Sequence, residues 1–432
     1  MISEAYFDEN GEPMEAGGKH RQVRRYDEAG NVIMEQQYAK NGKLIVGGQA
    51  YATVVRRYDD QKRLEEERYF GADNEPVPCK TGYAAMLMTY AEGKKPITRR
   101  YYDADGMAME VDGYHQIVYE YDAAGNETQQ SYYDLQGMRA ACGKGYAAIA
   151  HIYDNNNREL ETIYYDLEGN PIDIGDGYAR KVTLRDEKGN IIRESYYGPH
   201  DEQITLKNDY ATIRNTYNDK NKVTFTQYLD AEGKLVIAKN NGYAAIEYDY
   251  DENGNKTLER YYNEKLEVFA PTSRGCAAKT WENRKDGKVL AERYWNANGS
   301  LLKNGQGYAG IDYWYSDGDE VIEQTYLDEQ GKALKKSTSM GYCKLRRTYS
   351  KTAKILLEEY LDGDGNPTRN SSAVYGIAYE YDERDRLIRE YTFGDHRQPY
   401  SGKRNHAITE YSYDAAGNRT SEYYTAGGRK VG

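Results

Sequence analysis

The chain has 432 residues and is rich in tyrosine, with 47 Tyr against 5 Phe. Basic residues number 58 and acidic residues 70, and the formal net charge of -12 argues against a nucleic-acid partner, because phosphate backbones would be repelled. No apolar run is long enough to cross a bilayer and no signal segment precedes the first repeat, so we expect no membrane insertion.

Tyrosine recurs along the chain at a spacing of about 32 residues, which indicates a tandem repeat. The equivalent positions are Tyr6, Tyr38, Tyr69, Tyr101, Tyr132, Tyr164, Tyr196, Tyr228, Tyr261, Tyr294, Tyr326 and Tyr360, with Thr392 in the same place near the end. We count about thirteen units and find no linker or composition break between them. Residues 1–432 are therefore predicted to be a single tandem-repeat region, and its repeats at both ends suggest a segment of a larger protein.

Each unit is predicted to contain two turns and two strands. A first turn signature follows a single tyrosine, as in "YDEAGN" (26–31), and a second follows a tyrosine pair, as in "YYDADG" (101–106). Asp at the start and Gly or Asn three or four residues later favour tight turns. The segments between the turns are rich in Tyr, Val, Ile and Thr and have the length of strands.

These elements predict an all-β protein, an elongated solenoid or superhelix of stacked β-hairpins with about thirteen repeats of about 32 residues. Each hairpin would bury its tyrosines against its neighbours, because a single hairpin is not stable alone. With two strands per unit at about 4.8 Å each, the body would be roughly 120 Å long.

Alternation along each strand predicts which side chains are buried. In "GYAAIEYDYDENGNKTLERYYN" (242–263), Ala244, Ile246, Tyr248 and Tyr250 fall on the core face, and Tyr243 is predicted to point away from it. The two tyrosines of each pair must leave opposite faces of one strand. The first is Tyr in nearly every unit, which predicts a core position, whereas the second varies.

Two families resemble these repeats. "YDAAGNRTSEYY" (413–424), "YDAAGNETQQSYYD" (121–134) and "YDEAGN" (26–31) resemble the YD repeats of Rhs-type bacterial proteins, whose hairpins wind into large shells. "YYDADGMAMEVDGY" (101–114), "YYDLEGNPIDIGDGY" (164–178) and "YLDAEGKLVIAKNNGY" (228–243) resemble the aromatic cell-wall-binding repeats of choline-binding and glucan-binding surface proteins. The second resemblance implies choline or sugar held between aromatic side chains of neighbouring repeats, with Tyr101, Tyr102 and Tyr114 in one unit and Tyr164, Tyr165 and Tyr178 in another.

Tyrosines that are not needed for the core are the candidate ligand-binding residues. A regular row of aromatic faces with hydroxyls beside them suits sugars, whose C–H faces stack on rings, although the same row could hold a protein or simply seal the solenoid. The tyrosines at the recurring Gly-Tyr step, which reads Asp-Tyr at 209–210, are Tyr83, Tyr114, Tyr146, Tyr178, Tyr210, Tyr243, Tyr308 and Tyr342. The second members of the pairs add Tyr102, Tyr133, Tyr165 and Trp295.

The sequence contains no motif that predicts catalysis or a cofactor. The six histidines are scattered, and the carboxylate pairs belong to turns. "DGDGNP" (362–367) opens like a calcium loop but lacks the closing Glu, which favours a plain Asx turn. Cys79, Cys142, Cys276 and Cys343 lie far apart and do not have metal-site spacing. We therefore expect no catalytic residues, no metal, no cofactor and no enzyme activity.

The leading hypothesis is a non-catalytic repeat module that binds carbohydrate or cell-wall polymer through ladders of exposed tyrosines, with several weak sites adding avidity. The alternatives are a structural or protein–protein interaction scaffold of the YD-repeat kind, and an accessory region of an enzyme whose catalytic domain lies outside this chain. A bacterial cell-surface or secreted location, as part of a larger protein, is the corresponding expectation.

Overall fold

The computed structural model describes residues 1–8, 11–335, 339–414 and 417–431. Its regular elements in these ranges are 28 β-strands, and no helix occurs there. The chain divides into two compact units, Met1–Lys207 and Asn208–Gly432. The all-β prediction of stacked hairpins is confirmed, with six complete hairpins in the first unit and seven in the second.

The first unit contains thirteen strands. They are β1 (Ile2–Ala5), β2 (Arg21–Tyr26), β3 (Val32–Tyr38), β4 (Thr53–Tyr58), β5 (Leu64–Phe70), β6 (Ala85–Tyr90), β7 (Pro96–Tyr102), β8 (Gln116–Tyr121), β9 (Glu127–Tyr133), β10 (Ala148–Tyr153), β11 (Glu159–Tyr165), β12 (Arg180–Arg185) and β13 (Ile191–Tyr197).

The second unit repeats the same pattern with fifteen strands. They are β14 (Thr212–Tyr217), β15 (Val223–Leu229), β16 (Ala245–Tyr250), β17 (Lys256–Tyr262), β18 (Ala278–Asn283), β19 (Val289–Trp295), β20 (Gly310–Tyr315), β21 (Val321–Leu327), β22 (Lys344–Tyr349), β23 (Ile355–Leu361), β24 (Gly376–Tyr381), β25 (Leu387–Phe393), β26 (Ile408–Tyr413), β27 (Arg419–Tyr424) and β28 (Lys430–Val431).

The hairpin of β16 and β17 shows how the sequence forms each repeat. Asp251 follows the last residue of β16, and its Oδ1 accepts hydrogen bonds from the backbone N–H of Asn253 at 2.9 Å and of Asn255 at 2.8 Å. Gly254 has a φ of +83°, which a residue without Cβ adopts freely. The strands then pair from Ala245 opposite Tyr262 through six residue pairs, with a bulge just before the turn.

Neighbouring hairpins join in antiparallel register over a shorter stretch. Between β17 and β18 three residue pairs form, running from Leu258 opposite Thr280 to Arg260 opposite Ala278. The same three-pair junction connects β7 to β8 in the first unit. Within each unit the hairpins therefore follow one another in chain order and share one twisted ladder of strands.

In the described residues, a third turn that the sequence did not predict precedes the first strand of most hairpins. After β7 the chain folds back through a second turn and then closes a short loop in which Val111 and Tyr114 form an isolated bridge. Gly113 lies in this loop with a φ of +89°. Equivalent loops vary in sequence, as in "CKTGY" (79–83) and "NGQGY" (304–308). This folded-back segment contributes residues such as Tyr243 and Phe269 to the core.

The core lies between that segment and one face of the sheet. Tyr243, Ile246 and Tyr261 form one buried cluster, with Tyr248 and Phe269 packed against it. The predicted core positions Ala244 and Ile246 are confirmed, because both are buried. The four cysteines are buried free thiols. Across the described residues no helix is long and apolar enough to span a membrane.

The strand register shows that Tyr38 was assigned to the wrong position in the predicted tyrosine series. Arg21 faces Tyr38 as Ala85 faces Tyr102, so Tyr38 stands in the place of a second pair member. The buried Gln37 occupies the first place instead. Thr392 does take the first place, because it faces Ile377 as Tyr101 faces Met86.

Candidate functional site

The main repeating feature is a row of tyrosine rings, which we call the tyrosine ladder. Each Gly-Tyr ring lies between the first tyrosines of two successive pairs, as Tyr83 does between Tyr69 at 5.7 Å and Tyr101 at 4.8 Å between ring centroids. In the first unit the ladder runs through Tyr51, Tyr69, Tyr83, Tyr101, Tyr114, Tyr132, Tyr146, Tyr164, Tyr178 and Tyr196, with centroid separations between 4.6 and 6.0 Å.

The second unit has the same ladder in two stretches. The first contains Tyr210, Tyr228, Tyr243 and Tyr261, and the second contains Tyr294, Tyr308, Tyr326, Tyr342 and Tyr360. Cys276 occupies the intervening ring position, and the Arg274 guanidinium lies 5.7 Å from the Tyr243 ring centroid and 5.8 Å from that of Tyr261. The Arg274 guanidinium thus lies over the rings of Tyr243 and Tyr261, next to the ladder position where Cys276 replaces a tyrosine.

The prediction that the Gly-Tyr tyrosines point outward is wrong. Tyr146, Tyr243 and Tyr308 are only 5–6% exposed. The remaining members of that set, Tyr83, Tyr114, Tyr178, Tyr210 and Tyr342, are half-buried. Strand alternation does not apply to Tyr243, because β16 begins two residues later at Ala245 and Gly242 turns the chain with a φ of +79°. The ring therefore enters the same core as Ile246.

Ladder hydroxyls are used inside the protein. Tyr261 donates to Glu259 and Tyr69 donates to Glu67, each two residues back on the same strand. Tyr308 donates to Gln306 Oε1 at 2.8 Å. Burial is the largest cause that raises the pKa of Tyr69 and of Tyr261, followed by these carboxylate acceptors. The phenols therefore stay protonated near neutral pH and act as donors within the core.

A second row of tyrosines, missed by the sequence analysis, joins each repeat to the one before it. These are the tyrosines that directly precede the first turn, which begins with Asp in many of the repeats. Tyr90 donates to the Leu64 carbonyl at 2.7 Å, and Tyr250 donates to the Val223 carbonyl at 2.9 Å. The same bond is made by Tyr58, Tyr121, Tyr153, Tyr315, Tyr349 and Tyr413. The recurring "YD" dipeptide was the available signal, but Tyr250 was predicted only as a core residue and not as a hydrogen-bond donor to the preceding repeat.

The second members of the tyrosine pairs lie on the opposite face of the sheet, which we call the outer face. Tyr102, Tyr133, Tyr165 and Trp295 are all half-buried there. The Trp295 indole Nε1 donates to Thr280 Oγ1 at 2.9 Å. These four residues are not brought together with the tyrosine ladder, because the two members of a pair leave opposite faces of one strand.

Titratable clusters suited to metal binding are absent from the described residues. In the 362–367 turn, Asp362 Oδ1 accepts the backbone N–H of Asp364 and of Asn366, which is an Asx turn. His20 and His115 pack edge-on against Phe7 and Tyr102. Their rings therefore have packing roles in separate repeats.

The ladder, the hydroxyl bonds between repeats and the serial strand pairing define a tandem β-hairpin repeat protein, and they fit the resemblance to YD repeats. No protein-family model and no curated protein matches the chain. Among solved structures it is similar to TcdB2-TccC3, with a TM-score of 0.35 and 13% identity over 95% of this chain and 24% of that chain. A Photorhabdus luminescens Tc holotoxin pore gives a TM-score of 0.34 and 13% identity over 96% of this chain and 24% of that chain.

The chain thus spans about a quarter of the length of these solved chains. TM-scores of this size do not carry an activity or a partner from one protein to another.

Proposed function

We propose that this chain is a non-catalytic structural scaffold that takes part in protein–protein assembly. The observation that carries the proposal is the buried tyrosine ladder, in which rings of successive repeats pack on one another inside the core. Such packing makes each repeat depend on its neighbours for stability. The tyrosines then serve to hold a regular body together, and the outer face and turns are left to contact partners.

The burial of the tyrosine ladder weighs against the hypothesis that its tyrosines are exposed and bind carbohydrate. Tyr243 has Tyr228 at 6.0 Å and Tyr261 at 5.1 Å on its two sides and Arg274 at 5.7 Å. A ring enclosed in this way cannot stack on a sugar. Carbohydrate binding would need the outer-face aromatics Tyr102, Tyr133, Tyr165 and Trp295, for which it stays a prediction. A catalytic domain outside this chain and a cell-surface or secreted location also stay predictions.

The test compares stability with glycan retention in two variants of the ladder. Tyr243→Ala and Tyr308→Ala each remove a buried ring, and we expect both to lower the melting temperature strongly. Tyr133→Ala, on the outer face, is the control and should lower it much less. In parallel, the unchanged chain and all three variants are passed over bacterial cell walls and insoluble polysaccharides.

The scaffold proposal predicts a large fall in melting temperature for the two ladder variants and no salt-resistant retention of the unchanged chain. Retention that survives salt and disappears in Tyr243→Ala, with an unchanged melting temperature, would instead establish the ladder as a glycan site.

A further inference from the structure

Two grooves occur at equivalent places on the outer face, one in each unit. The Tyr102 groove has a volume of about 170 Å³, and the Trp295 groove has a volume of about 340 Å³. The Tyr102 groove is lined chiefly by Arg68, Pro76, Ala85, Leu87, Tyr102 and Asp103. The Trp295 groove has Arg260, Val268, Ala278, Thr280, Trp295 and Asn296 in the same order.

Two other repeats show what can cover the aromatic ring at this place. Arg180 faces Tyr197 across the hairpin, and its guanidinium carbon lies 4.5 Å from the ring centroid. Arg21 faces Tyr38 in the same register, with a separation of 4.6 Å. Ala85 stands opposite Tyr102 instead. Its methyl group is too short to cover the ring, which leaves the groove open.

In the repeat of Arg180 and Tyr197, two carboxylates bind the guanidinium that covers the ring. Arg180 Nη1 lies 3.0 Å from Glu161 Oε2, and Nη2 bonds to Asp201 in the second turn that follows Tyr197. An aromatic face with carboxylates beside it is a favourable site for a guanidinium, which is planar and donates in several directions. The chain thus contains a filled version of the site that is open at Tyr102.

The charges at the rim of the Tyr102 groove are complementary to a guanidinium group. The turn after Tyr102 is "DADG" (103–106), with two carboxylates. Five second turns of this unit, at 71–75, 103–107, 134–138, 166–170 and 198–202, contain no Lys or Arg, whereas the turn after Tyr38 at 39–43 contains Lys40 and Lys43. They carry the carboxylates of Asp73, Glu75, Asp103, Asp105, Asp134, Asp166, Glu168, Asp201 and Glu202. Arg68 is the cation in the lining, and its Nε already donates to Glu66.

We propose that the Tyr102 groove binds an arginine side chain of a partner polypeptide, with the guanidinium stacked on Tyr102 beside Asp103 and Asp105. The proposal rests on the proposed function as a protein-assembly scaffold and names the chemistry of its partner. His115 packs edge-on against Tyr102 at 5.6 Å and 89°, which holds the platform in place. The Trp295 groove is lined from equivalent positions but is larger and has a neutral turn, "NANG" (296–299), and it serves as an internal comparison.

The test uses two labelled Gly-Ser peptides of equal length, one with four spaced arginines and the other with lysines at the same places. Affinity for the full chain is measured by fluorescence anisotropy at about 0.15 M salt, where long-range attraction is screened. Stacking on the accessible face of the half-buried Tyr102 ring should make the arginine peptide about two- to fivefold tighter than the lysine peptide.

Four variants locate the effect. Tyr102→Ala should abolish the preference for arginine, and Ala85→Arg should abolish it by placing a guanidinium on the ring from within the chain. Asp103→Asn with Asp105→Asn turns the "DADG" loop into the "NANG" loop that this chain already folds at 296–299, and it should weaken the preference. Tyr133→Ala, on a ring that faces Gln116, should leave it unchanged.

Equal affinity for the two peptides, or a preference that persists in both Tyr102→Ala and Ala85→Arg, would overturn the assignment and leave non-specific charge attraction. Salt-resistant glycan retention that is lost in Tyr102→Ala would overturn it in favour of a sugar site. If Tyr243→Ala still lowers the melting temperature in either case, only the groove assignment fails and the scaffold proposal stands.

Discussion

Replacing Tyr261 tests whether the tyrosine ladder holds the repeats together. Tyr261 is fully buried, and its ring centroid lies 5.1 Å from that of Tyr243. Truncating a buried aromatic side chain to Ala costs about 3–5 kcal/mol, of which an aromatic pair accounts for about 0.5–1.5 kcal/mol. We therefore expect Tyr261→Ala to lower the free energy of unfolding by about 4 kcal/mol.

Two further variants separate the ring from the hydroxyl and one face from the other. Tyr261→Phe keeps the ring and removes the hydrogen bond to Glu259, which still has Lys256 Nζ at 3.1 Å, so a loss of about 1–2 kcal/mol is expected. Tyr262→Ala removes the half-buried neighbour on the outer face, where Phe225 packs at 5.7 Å, and should cost about 1–2 kcal/mol.

The assay is urea denaturation of the three variants, combined with hydrogen exchange at the Tyr261 amide, which donates to the Ala277 carbonyl at 3.0 Å. Exchange is needed because repeats can open separately, and a global transition alone would mix their contributions. Equal losses for Tyr261→Ala and Tyr262→Ala would refute a core that lies on one face of the sheet. Equal losses for Tyr261→Ala and Tyr261→Phe would assign the stability to the hydroxyl.

Three other perturbations test the turns and the bonds between repeats. Tyr250→Phe removes the donor to the Val223 carbonyl, and denaturation should show a loss of about 1 kcal/mol; no loss would mean that water replaces the bond freely. The Asn255 side chain and the turn N–H groups lower the pKa of Asp251, so its contribution is present above about pH 4 and is lost as pH falls through the lowered pKa. Asp251→Asn should therefore flatten the decline of melting temperature below pH 4, and an unchanged decline would contradict this. Gly341→Ala places a Cβ 2.6–2.8 Å from the backbone of residues 369–371 at a φ of +89°, whereas Gly365→Ala at +90° meets nothing within 4 Å. The second should cost about 1–2 kcal/mol for its conformation and the first clearly more, and equal melting temperatures would show that the backbone gives way.

The hairpins could be predicted from sequence because their signals are local. Asp at the start of many turns and alternation along each strand depend only on residues a few positions apart. The alternation correctly placed Ala244, Ile246 and the first tyrosine of most pairs in the core. Tyr38 was misplaced by one residue because Gln37 takes the ladder position in that repeat, which only the pairing of Arg21 with Tyr38 reveals.

The candidate site was harder to predict because it depends on contacts between repeats. Tyr243 was expected outside because strand alternation was extended back to it, although β16 begins only at Ala245 and the positive φ of Gly242 redirects the chain just before Tyr243. The bond from Tyr250 to the Val223 carbonyl joins residues 27 positions apart. The open face of Tyr102 follows from the small side chain of Ala85 directly opposite, which requires the register of the hairpin.

Strand pairing is uneven along each unit, and this has a mechanical consequence. Six residue pairs join β22 to β23 within a hairpin, but three join β23 to the following β24. Under tension the three-pair junctions and their single tyrosine hydroxyl bonds should part before the hairpins do. Each rupture would then free one hairpin from its neighbour, and the full length of about 110 Å for a repeat of about 32 residues would be released only when that hairpin also opened. Stretching one unit would proceed in equal steps, one for each junction, and re-forming a single three-pair junction would reverse each step.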